Sequence, residues 1–461
     1  MQKKILTLAI AAAMAAPAAA MAEATLYGKL HVSIDYADVT DAAVRGVDAN
    51  GNPLARYYAD PNSVNPDGTL NPTSGPVYLD ASGNPIVAGG KDFKGWGISR
   101  GNTYIPGASR ANRIGVKGSE DLGNGLKAIY QVEFGINLSD TNGNVASNSD
   151  SITYRNTFVG LAGNWGTALV GRHDTPLKIS TGKLDLFSDT MADYNGTVGF
   201  DDIRADNVIA YISPSFSGFS FMGAIIAGGG ATAGAGANVN EDSLAGAWSL
   251  AGIYNNGPFY ASVAYESLDS DMFMDSQTSI LGRSACVDAD GLQTLSCNYI
   301  SDSYDKWRIG LGLLDFNGFT LTALWERQEN LPSGQQRTAL TTINSDGVVE
   351  VGSASPFEKQ DLWQIQAAYA FGNNTIKAMY GSADRTDSKV LGRTRDVVSL
   401  NNLESDLKGD RYTWAIGFDH NFSKRTKAYV LYTQVDDDLS GMPEYPGIEW
   451  SGFSAGMIHS F

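Results

Sequence analysis

The sequence contains little cysteine, little histidine and no excess of positive charge. Two cysteines and four histidines in 461 residues are too few for a disulfide-built scaffold or a cysteine-rich zinc module. Acidic residues outnumber Lys and Arg by 50 to 33, and the resulting net charge of −17 excludes a nucleic-acid binder with a basic surface. The length would ordinarily predict two or three soluble domains.

Long apolar runs are absent beyond the first residues of the chain. The opening MQKK is followed by an apolar run and by an Ala-Met-Ala cleavage site ending at Ala22, which predicts a secretory signal peptide over residues 1–22. A membrane-anchoring helix is the alternative, but Pro17 interrupts the run and no stop-transfer flank follows it. Residues 23–461 contain no stretch of 18 apolar residues, which excludes a helical membrane span there.

The two cysteines lie close together in a polar segment. Cys286 and Cys297 have ten residues between them. In the oxidising compartment that a signal peptide implies, we expect them to close a small loop through a disulfide. A metal pair is the weaker alternative, because no histidine or further cysteine lies nearby.

Alternation of apolar and polar residues with period two dominates the rest of the chain. In residues 25–36, Leu26, Val32 and Ile34 fall on one face, whereas Lys29 and His31 fall on the other. Strands of soluble proteins typically have about five or six residues. These segments have about a dozen, close to the ~9–11 that a tilted strand needs to cross a bilayer.

Sixteen such segments are predicted as strands, and their connections alternate strictly between long and short. The segments are 24–36, 110–118, 126–138, 153–162, 166–173, 207–213, 218–227, 243–254, 259–268, 305–314, 319–328, 361–371, 375–384, 411–421, 426–435 and 451–461. An even count with tight turns at one end and extended loops at the other is typical of an up-and-down barrel. We therefore predict an all-β fold, a transmembrane antiparallel β-barrel of about 16 strands, as a single domain over residues 23–461.

A barrel also explains why the chain combines low hydropathy with a membrane location. A closed sheet pairs all its backbone groups, so its apolar face can contact lipid while its polar face lines the lumen. The chain has 21 Tyr, 18 Phe and 8 Trp for aromatic girdles, and it ends on Phe461, a terminal aromatic suited to recognition by barrel-insertion machinery. A soluble β-sandwich, such as a surface adhesin, is the alternative.

Three stretches resemble a known family. NRIGVKGSEDLGNGLKAIYQVEFG (112–135), RNTFVGLAGNWGTALVGRHDTP (155–176) and the DNVIAYISPSFSGFSF stretch that follows Arg204 are similar to the general diffusion porins of Gram-negative bacteria. The resemblance implies sixteen strands, a homotrimer in the outer membrane and a third long loop, here 174–206, folded into the lumen. It also implies arginines on the barrel wall opposite an acidic loop.

The acidic side of this constriction is predicted within the third long loop. Asp185, Asp189 and Asp193 occur at a spacing of four and would share one face of a short helix over 184–194. The resemblance directs that face into the pore. By spacing alone, a solvated face on an external loop explains the pattern equally well.

The basic side is predicted on the strands. Arg113, Arg155 and Arg204 match the motifs of the family, and Arg172 in GRHDTP is a further candidate. An arginine facing lipid near the midplane would cost ~2–4 kcal/mol, so strand arginines should face the lumen, unless they lie at strand ends and pair with headgroups or loops.

Lys127 and Glu133 should line the same channel more peripherally. Opposed charges across a narrow lumen favour polar solutes without any covalent step.

The function expected from these features is a water-filled porin channel for passive diffusion of ions and small hydrophilic solutes. The alternative is a solute-specific channel for phosphate, sugar or organic acid on the same barrel. An enzyme is not expected, since His173 beside Asp174 has no evident nucleophile, and neither a metal nor a cofactor is predicted. The acidic net charge favours a mild preference for cations.

Overall fold

The computed structural model describes most of the strands and few of the connections. The described residues are 24–43, 57–58, 76–77, 90–99, 110–138, 152–227, 244–268, 303–329, 339–343, 349–354, 359–388, 390–391, 407–440 and 449–461. The segment 1–22, Cys286 and Cys297 lie outside them, so the signal peptide and the disulfide stay predictions. Within the described ranges, no helix is long and apolar enough to cross a membrane.

Nearly all secondary structure in the described residues is strand. The strands are β1 (Thr25–Ala43), β2 (Tyr57–Tyr58), β3 (Pro76–Val77), β4 (Gly90–Ile98), β5 (Arg113–Gly123), β6 (Leu126–Ile136), β7 (Ile152–Tyr154), β8 (Thr157–Gly163), β9 (Gly166–Asp174), β10 (Arg204–Ile212), β11 (Phe219–Ile226), β12 (Ala247–Asn256), β13 (Phe259–Leu268), β14 (Tyr304–Phe316), β15 (Phe319–Glu329), β16 (Ala339–Ile343), β17 (Val349–Ala354), β18 (Lys359–Phe371), β19 (Asn374–Ser388), β20 (Val390–Leu391), β21 (Leu407–Asn421), β22 (Thr426–Ser440) and β23 (Glu449–Ser460). Two short helices, α1 (Pro176–Thr181) and α2 (Tyr194–Thr197), lie between β9 and β10.

The long strands form one antiparallel sheet that closes on itself. Each wall strand pairs with the next from β5 to β23, and β7 and β8 together form one wall strand against β6. β1 completes the ring, because it pairs with β23 and, through residues 25–29, with β5. The wall has sixteen strands, so the predicted barrel and all sixteen predicted segments are confirmed.

One strand of the main sheet was not predicted. β4 lies inside the expected first loop and pairs with the far half of β1, where Trp96 stands opposite Tyr36. Glycines at 95 and 97 dilute its apolar pattern, since glycine has low strand propensity. Two small sheets, β2 with β3 and β16 with β17 and β20, also lie in expected loops.

The two faces of the closed sheet have inverted polarity. On β14, Trp307 and Ile309 are exposed, whereas Lys306 and Arg308 are fully buried. β1 repeats the pattern, with Ile34 exposed on its apolar face. A water-soluble protein would bury the apolar face, so this arrangement suits a wall surrounded by lipid.

Aromatic side chains on neighbouring strands form two rows near opposite ends of the wall. Beside the long connections, the ring centroids of Tyr265 lie 4.9 Å from Trp248 and 4.4 Å from Trp307. Beside a short turn, Phe319 and Tyr369 lie 4.4 Å apart. Such rows are typical of the interfaces between a bilayer and water.

Candidate functional site

The segment between β9 and β10, residues 175–203, begins and ends with locally encoded structure. Thr175 caps α1 by accepting a hydrogen bond from the Lys178 amide, and Pro176 takes the first helical position. Asp193 caps α2 by accepting a hydrogen bond of 2.9 Å from the Asn195 amide.

The predicted helix over 184–194 is wrong, because turns occupy this stretch up to the cap of α2. The physical reason is the aspartates themselves. The Asp185 carboxylate accepts a hydrogen bond from the Phe187 amide two residues ahead, and Asp189 has a left-handed φ of 61°. Aspartate side chains compete in this way with helical hydrogen bonds.

Apolar side chains fix residues 175–203 on the polar face of the sheet. Leu184 is fully buried in a cluster that includes Tyr260, Leu324 and Leu362 of three wall strands. Glycine makes this possible at Gly310, where a Cβ atom would lie 2.5 Å from a Leu184 methyl.

On the other side of the segment, Phe187 and Met191 are buried in a second cluster with Met379 and Tyr429. Together with the cluster around Leu177, these contacts take the segment to wall strands from β11 to β23.

Wall side chains also satisfy the backbone of the segment. The Thr322 hydroxyl donates a hydrogen bond of 2.9 Å to the Leu184 carbonyl, and the Lys377 ammonium donates one of 2.8 Å to the Leu186 carbonyl. The Leu186 amide donates in turn to the Gln366 side chain at 2.8 Å. Buried loop backbone is stable only with such partners.

Buried ion pairs anchor the C-terminal part of the segment. Arg308 of β14 contacts Asp202 at 2.6 Å and also pairs with Glu326 of β15. Lys306 contacts Asp201 at 3.3 Å. Burial would raise the pKa of Asp202, but Arg308 outweighs it and the pKa is lowered, so this carboxylate is ionised.

A cavity of about 400 Å³ lies over the part of the polar face formed by β1, β5, β6 and the β7–β8 strand. The charged side chains that line it are Lys29, Arg113, Lys117, Arg155, Glu133 and Asp174. Cations and anions are thus mixed, with cations in the majority.

Two of the predicted arginines line this cavity and converge on one carboxylate. The Nε atom of Arg155 lies 2.7 Å from Glu133, and that of Arg113 lies 3.9 Å from it. Glu133 is buried, as is expected of a residue on the polar face of β6. Lys127, on the same strand, is exposed near the turn that joins β5 to β6.

The other two arginines occupy different surroundings. Arg204 pairs with Asp174 at 2.9 Å and donates a hydrogen bond to Asn156, so it lies beside the lining. Arg172 instead pairs with the exposed Asp206 at 2.7 Å and donates to the Tyr154 carbonyl. The fold therefore brings Arg113, Arg155 and Arg204 to the cavity or its edge, whereas Arg172 pairs with a residue outside the lining.

Of the predicted aspartates, Asp189 contacts the cavity lining. Its carboxylate lies 2.6 Å from the Lys29 ammonium. Asp185 and Asp193 hold turns within the segment and are enclosed, and burial raises the pKa of both carboxyl groups. The three carboxylates do not form the single face that their spacing predicts.

Sequence reasoning missed several lining residues, among them Lys29, Tyr27 and Lys117. Lys29 fell on the polar face of the first segment, so the alternation could have identified it, and Tyr27 fell there too. Tyr27 donates a hydrogen bond of 2.9 Å to Glu133, and Lys117 lies over its ring. These contacts join β1, β5 and β6, which one-strand patterns do not reveal.

The described part of the chain offers no metal-binding cluster, and His173 contacts a backbone carbonyl and an aromatic ring. Among those residues there is no cluster of three or more His, Cys, Asp or Glu side chains placed to hold a metal ion. His173, the histidine beside an acid, shares a hydrogen bond of 2.8 Å with the backbone carbonyl of Asp174 and packs against Phe158.

Comparisons with known proteins agree with the architecture. A family model described as Gram-negative porin matches residues 7–440. An outer membrane porin protein of Bordetella pertussis is 29% identical over 279 residues, 59% of this chain and 60% of that protein's length. The major outer membrane protein P.IB of Neisseria gonorrhoeae is 24% identical over 345 residues, covering 72% of this chain and 80% of its own.

Among solved structures, the anion-selective porin from Comamonas acidovorans has the same fold. It superposes with a TM-score of 0.54 at 19% identity, over 95% of this chain and 99% of that one.

Proposed function

The chain belongs to the Gram-negative porin family, and on that premise we propose that it forms a water-filled channel in the bacterial outer membrane. Ions and small hydrophilic solutes diffuse passively through it. The observation that carries this proposal is the inverted polarity of the closed sheet, whose apolar face is exposed and whose polar face lines a charged cavity over several strands.

We place residues 175–203 inside the barrel, where they narrow the lumen. Their apolar side chains and backbone are held by the polar face of strands from β11 to β23 and by Val39 of β1, and the face of β5, β6 and the first residues of β1 is left to the cavity. Solutes then pass between the segment and the basic strands. The constriction consists of Arg113, Arg155 and Glu133 on the wall and of Asp189 on the segment.

The charge around the cavity supports a preference for anions at the narrowest part. The cationic side chains of the lining and its paired neighbours are Lys29, Arg113, Lys117, Arg155, Lys178 and Arg204, and the anionic ones are Glu133, Asp174 and Asp189. At physiological salt, screening confines the electrostatic effect of a charge to about 8 Å. These nearby groups therefore act on a passing ion more strongly than the distant acidic residues that make the net charge of the chain negative. This proposal replaces the mild cation preference expected from composition.

Planar-bilayer recordings of the purified protein test the channel and its sign. We expect stepwise openings of the channel. In a salt gradient, we expect a reversal potential with the sign that indicates selectivity for anions. Steps in groups of three are the outcome we expect for the proposed homotrimer. A preparation that folds but never conducts would contradict the proposed channel function. A reversal potential with the sign of cation selectivity would contradict only the proposed preference for anions.

The second candidate function is a solute-specific channel. Because cationic side chains are in the majority around the cavity, the solutes of such a channel would be anions. Such a channel would show saturable block of its chloride current by phosphate or a small organic acid, and none by a neutral sugar. In a general pore, charged and neutral solutes of similar size would reduce the chloride current to a similar extent, and the reduction would not saturate. We propose no catalytic activity, metal or cofactor in either case.

The proposed partners follow from the membrane location. Lipids surround the exposed apolar face, and barrel-insertion machinery acts on the chain before the barrel closes. In the closed barrel, the backbone of Phe461 exchanges two hydrogen bonds of 3.1 Å with Gly28. The terminal residue is then part of the wall.

A further inference from the structure

Residues 175–203 are attached to the wall by ion pairs of two kinds. The anchor at Arg308 and Asp202 is sealed, with side chains 0% and 8% exposed. The pair between Lys29 of β1 and Asp189 has side chains 14% and 25% exposed, at the edge of the cavity. The first kind holds the segment, and the second lies where a passing solute can meet it.

The local backbone directs Asp189 toward β1. Its φ of 61° lies in the left-handed region, which aspartate tolerates better than most residues. Its amide donates a hydrogen bond of 2.7 Å to the Asp193 carboxylate, which also caps α2. The backbone of Asp189 is thus tied to the cap, and its side chain is directed to Lys29.

Several nearby cations stabilise the ionised form of the Asp189 carboxylate. Burial alone would raise the pKa of this carboxyl group, but Lys29, Arg113 and Arg155 outweigh burial and lower it. Asp189 therefore faces the cationic wall as an ionised group.

We propose that the Lys29–Asp189 ion pair is a crossbar that joins the segment to β1 and sets both the width and the charge of the passage. The proposal rests on the proposed channel function. The crossbar occupies space between segment and wall, so breaking it from either side should widen the passage. It also neutralises one cation of the lining, so the two ways of breaking it should shift selectivity in opposite directions.

Two single variants test the crossbar by single-channel conductance and reversal potential. Asp189→Asn and Lys29→Met should each raise conductance by about 1.5-fold, because each removes the ion pair. Asp189→Asn leaves Lys29 without its counter-charge and should shift selectivity toward anions. Lys29→Met leaves Asp189 without a counter-charge and should shift selectivity toward cations.

Lys29→Arg retains a cation opposite Asp189 and should conduct like the wild type. Asp206→Asn is the matched control, because it removes a pair of similar length, with Arg172, that contacts neither the cavity nor the segment. It should change neither quantity.

Opposite shifts in selectivity with parallel increases in conductance support the crossbar. Wild-type conductance in both single variants overturns it and leaves the channel function intact, whereas a wild type that does not conduct overturns the proposed function. If Asp189→Asn fails to assemble, the outcome for Lys29→Met decides, since that change lies on the wall alone.

Discussion

The three aspartates at positions 185, 189 and 193 share a residue type and a spacing of four, but their surroundings differ. Asp189 pairs with Lys29 beside the cavity. Asp185 and Asp193 accept hydrogen bonds from amides of their own segment. The residue type predicted that carboxylates of this loop take part in the site. Whether a given carboxylate pairs with a wall cation or holds a turn depends on which groups the fold brings within about 3 Å.

At this scale, the proton affinity of Asp185 predicts a pH-dependent stability. Burial raises its pKa from 3.8 to about 7. The folded state therefore binds this proton more tightly than the unfolded state does, so the stabilisation is complete below pH 3.8 and is lost as pH rises through about 7.

Asp185→Asn should consequently stabilise the protein at pH 8, on the order of 1 kcal/mol, and leave it unchanged near pH 4. The asparagine Oδ1 atom can still accept from the Phe187 amide and from Gln366, which both use Oδ1 now. Thermal unfolding in detergent at the two pH values measures the effect. Asp202→Asn should destabilise at pH 8, since Arg308 holds that carboxylate ionised; equal effects of the two variants would refute the assignment.

At the scale of elements, residues 175–203 are a loop whose conformation is held by contacts with wall strands. Each end has a capped helix, and the middle takes its shape from Leu184 and Phe187 against wall strands. Alternation in the wall was predictable because strand hydrogen bonds impose period two on every residue. The path of a loop has no period, so the expectation that this loop enters the lumen came from the resemblance alone.

The buried anchor of this element should carry much of its stability. Arg308→Met leaves Glu326 and Asp202 buried with one cation fewer, and removing one partner of a buried pair costs ~3–5 kcal/mol. We expect a lower unfolding temperature and faster tryptic cleavage at Lys183 within the segment.

The matched control is Arg327→Met, on the neighbouring strand. Arg327 pairs with Asp361 at 2.9 Å, with side chains 36% and 30% exposed, and an exposed pair contributes up to about 1 kcal/mol. A loss of stability as large as that of Arg308→Met would show that burial is not the deciding difference.

At the scale of the whole molecule, the seam between the first and last wall strands closes the barrel. β1 and β23 pair over twelve positions, from Lys29 with Ser460 to Thr40 with Glu449. Closure leaves no free edge in this ring, which a lipid environment requires because unpaired backbone groups there cost several kcal/mol each.

Gly28 at this seam should tolerate no side chain. A Cβ atom there would lie 2.4 Å from the Phe461 ring and 2.8 Å from the Arg113 carbonyl oxygen, and the carbonyl belongs to a paired strand that cannot move aside. Gly28→Ala should destabilise the closed barrel by ~1–3 kcal/mol. Heat-dependent gel mobility of the refolded protein gives the closed fraction.

Gly95→Ala on β4 is the control for this prediction. A Cβ atom at Gly95 meets no atom within 4 Å, so the variant should fold like the wild type. Normal closure of Gly28→Ala would mean that the seam adapts to a methyl group.

The sequence by itself determined the sixteen wall strands, their order and the inverted polarity of their faces. It could do so because period two and short turns act between neighbours along the chain. Tertiary structure alone decided that Arg172 pairs with Asp206 outside the cavity lining, and that Lys29 pairs with Asp189. The second contact joins residues 160 positions apart, and only the tertiary fold, which packs residues 175–203 against wall strands, brings them within reach.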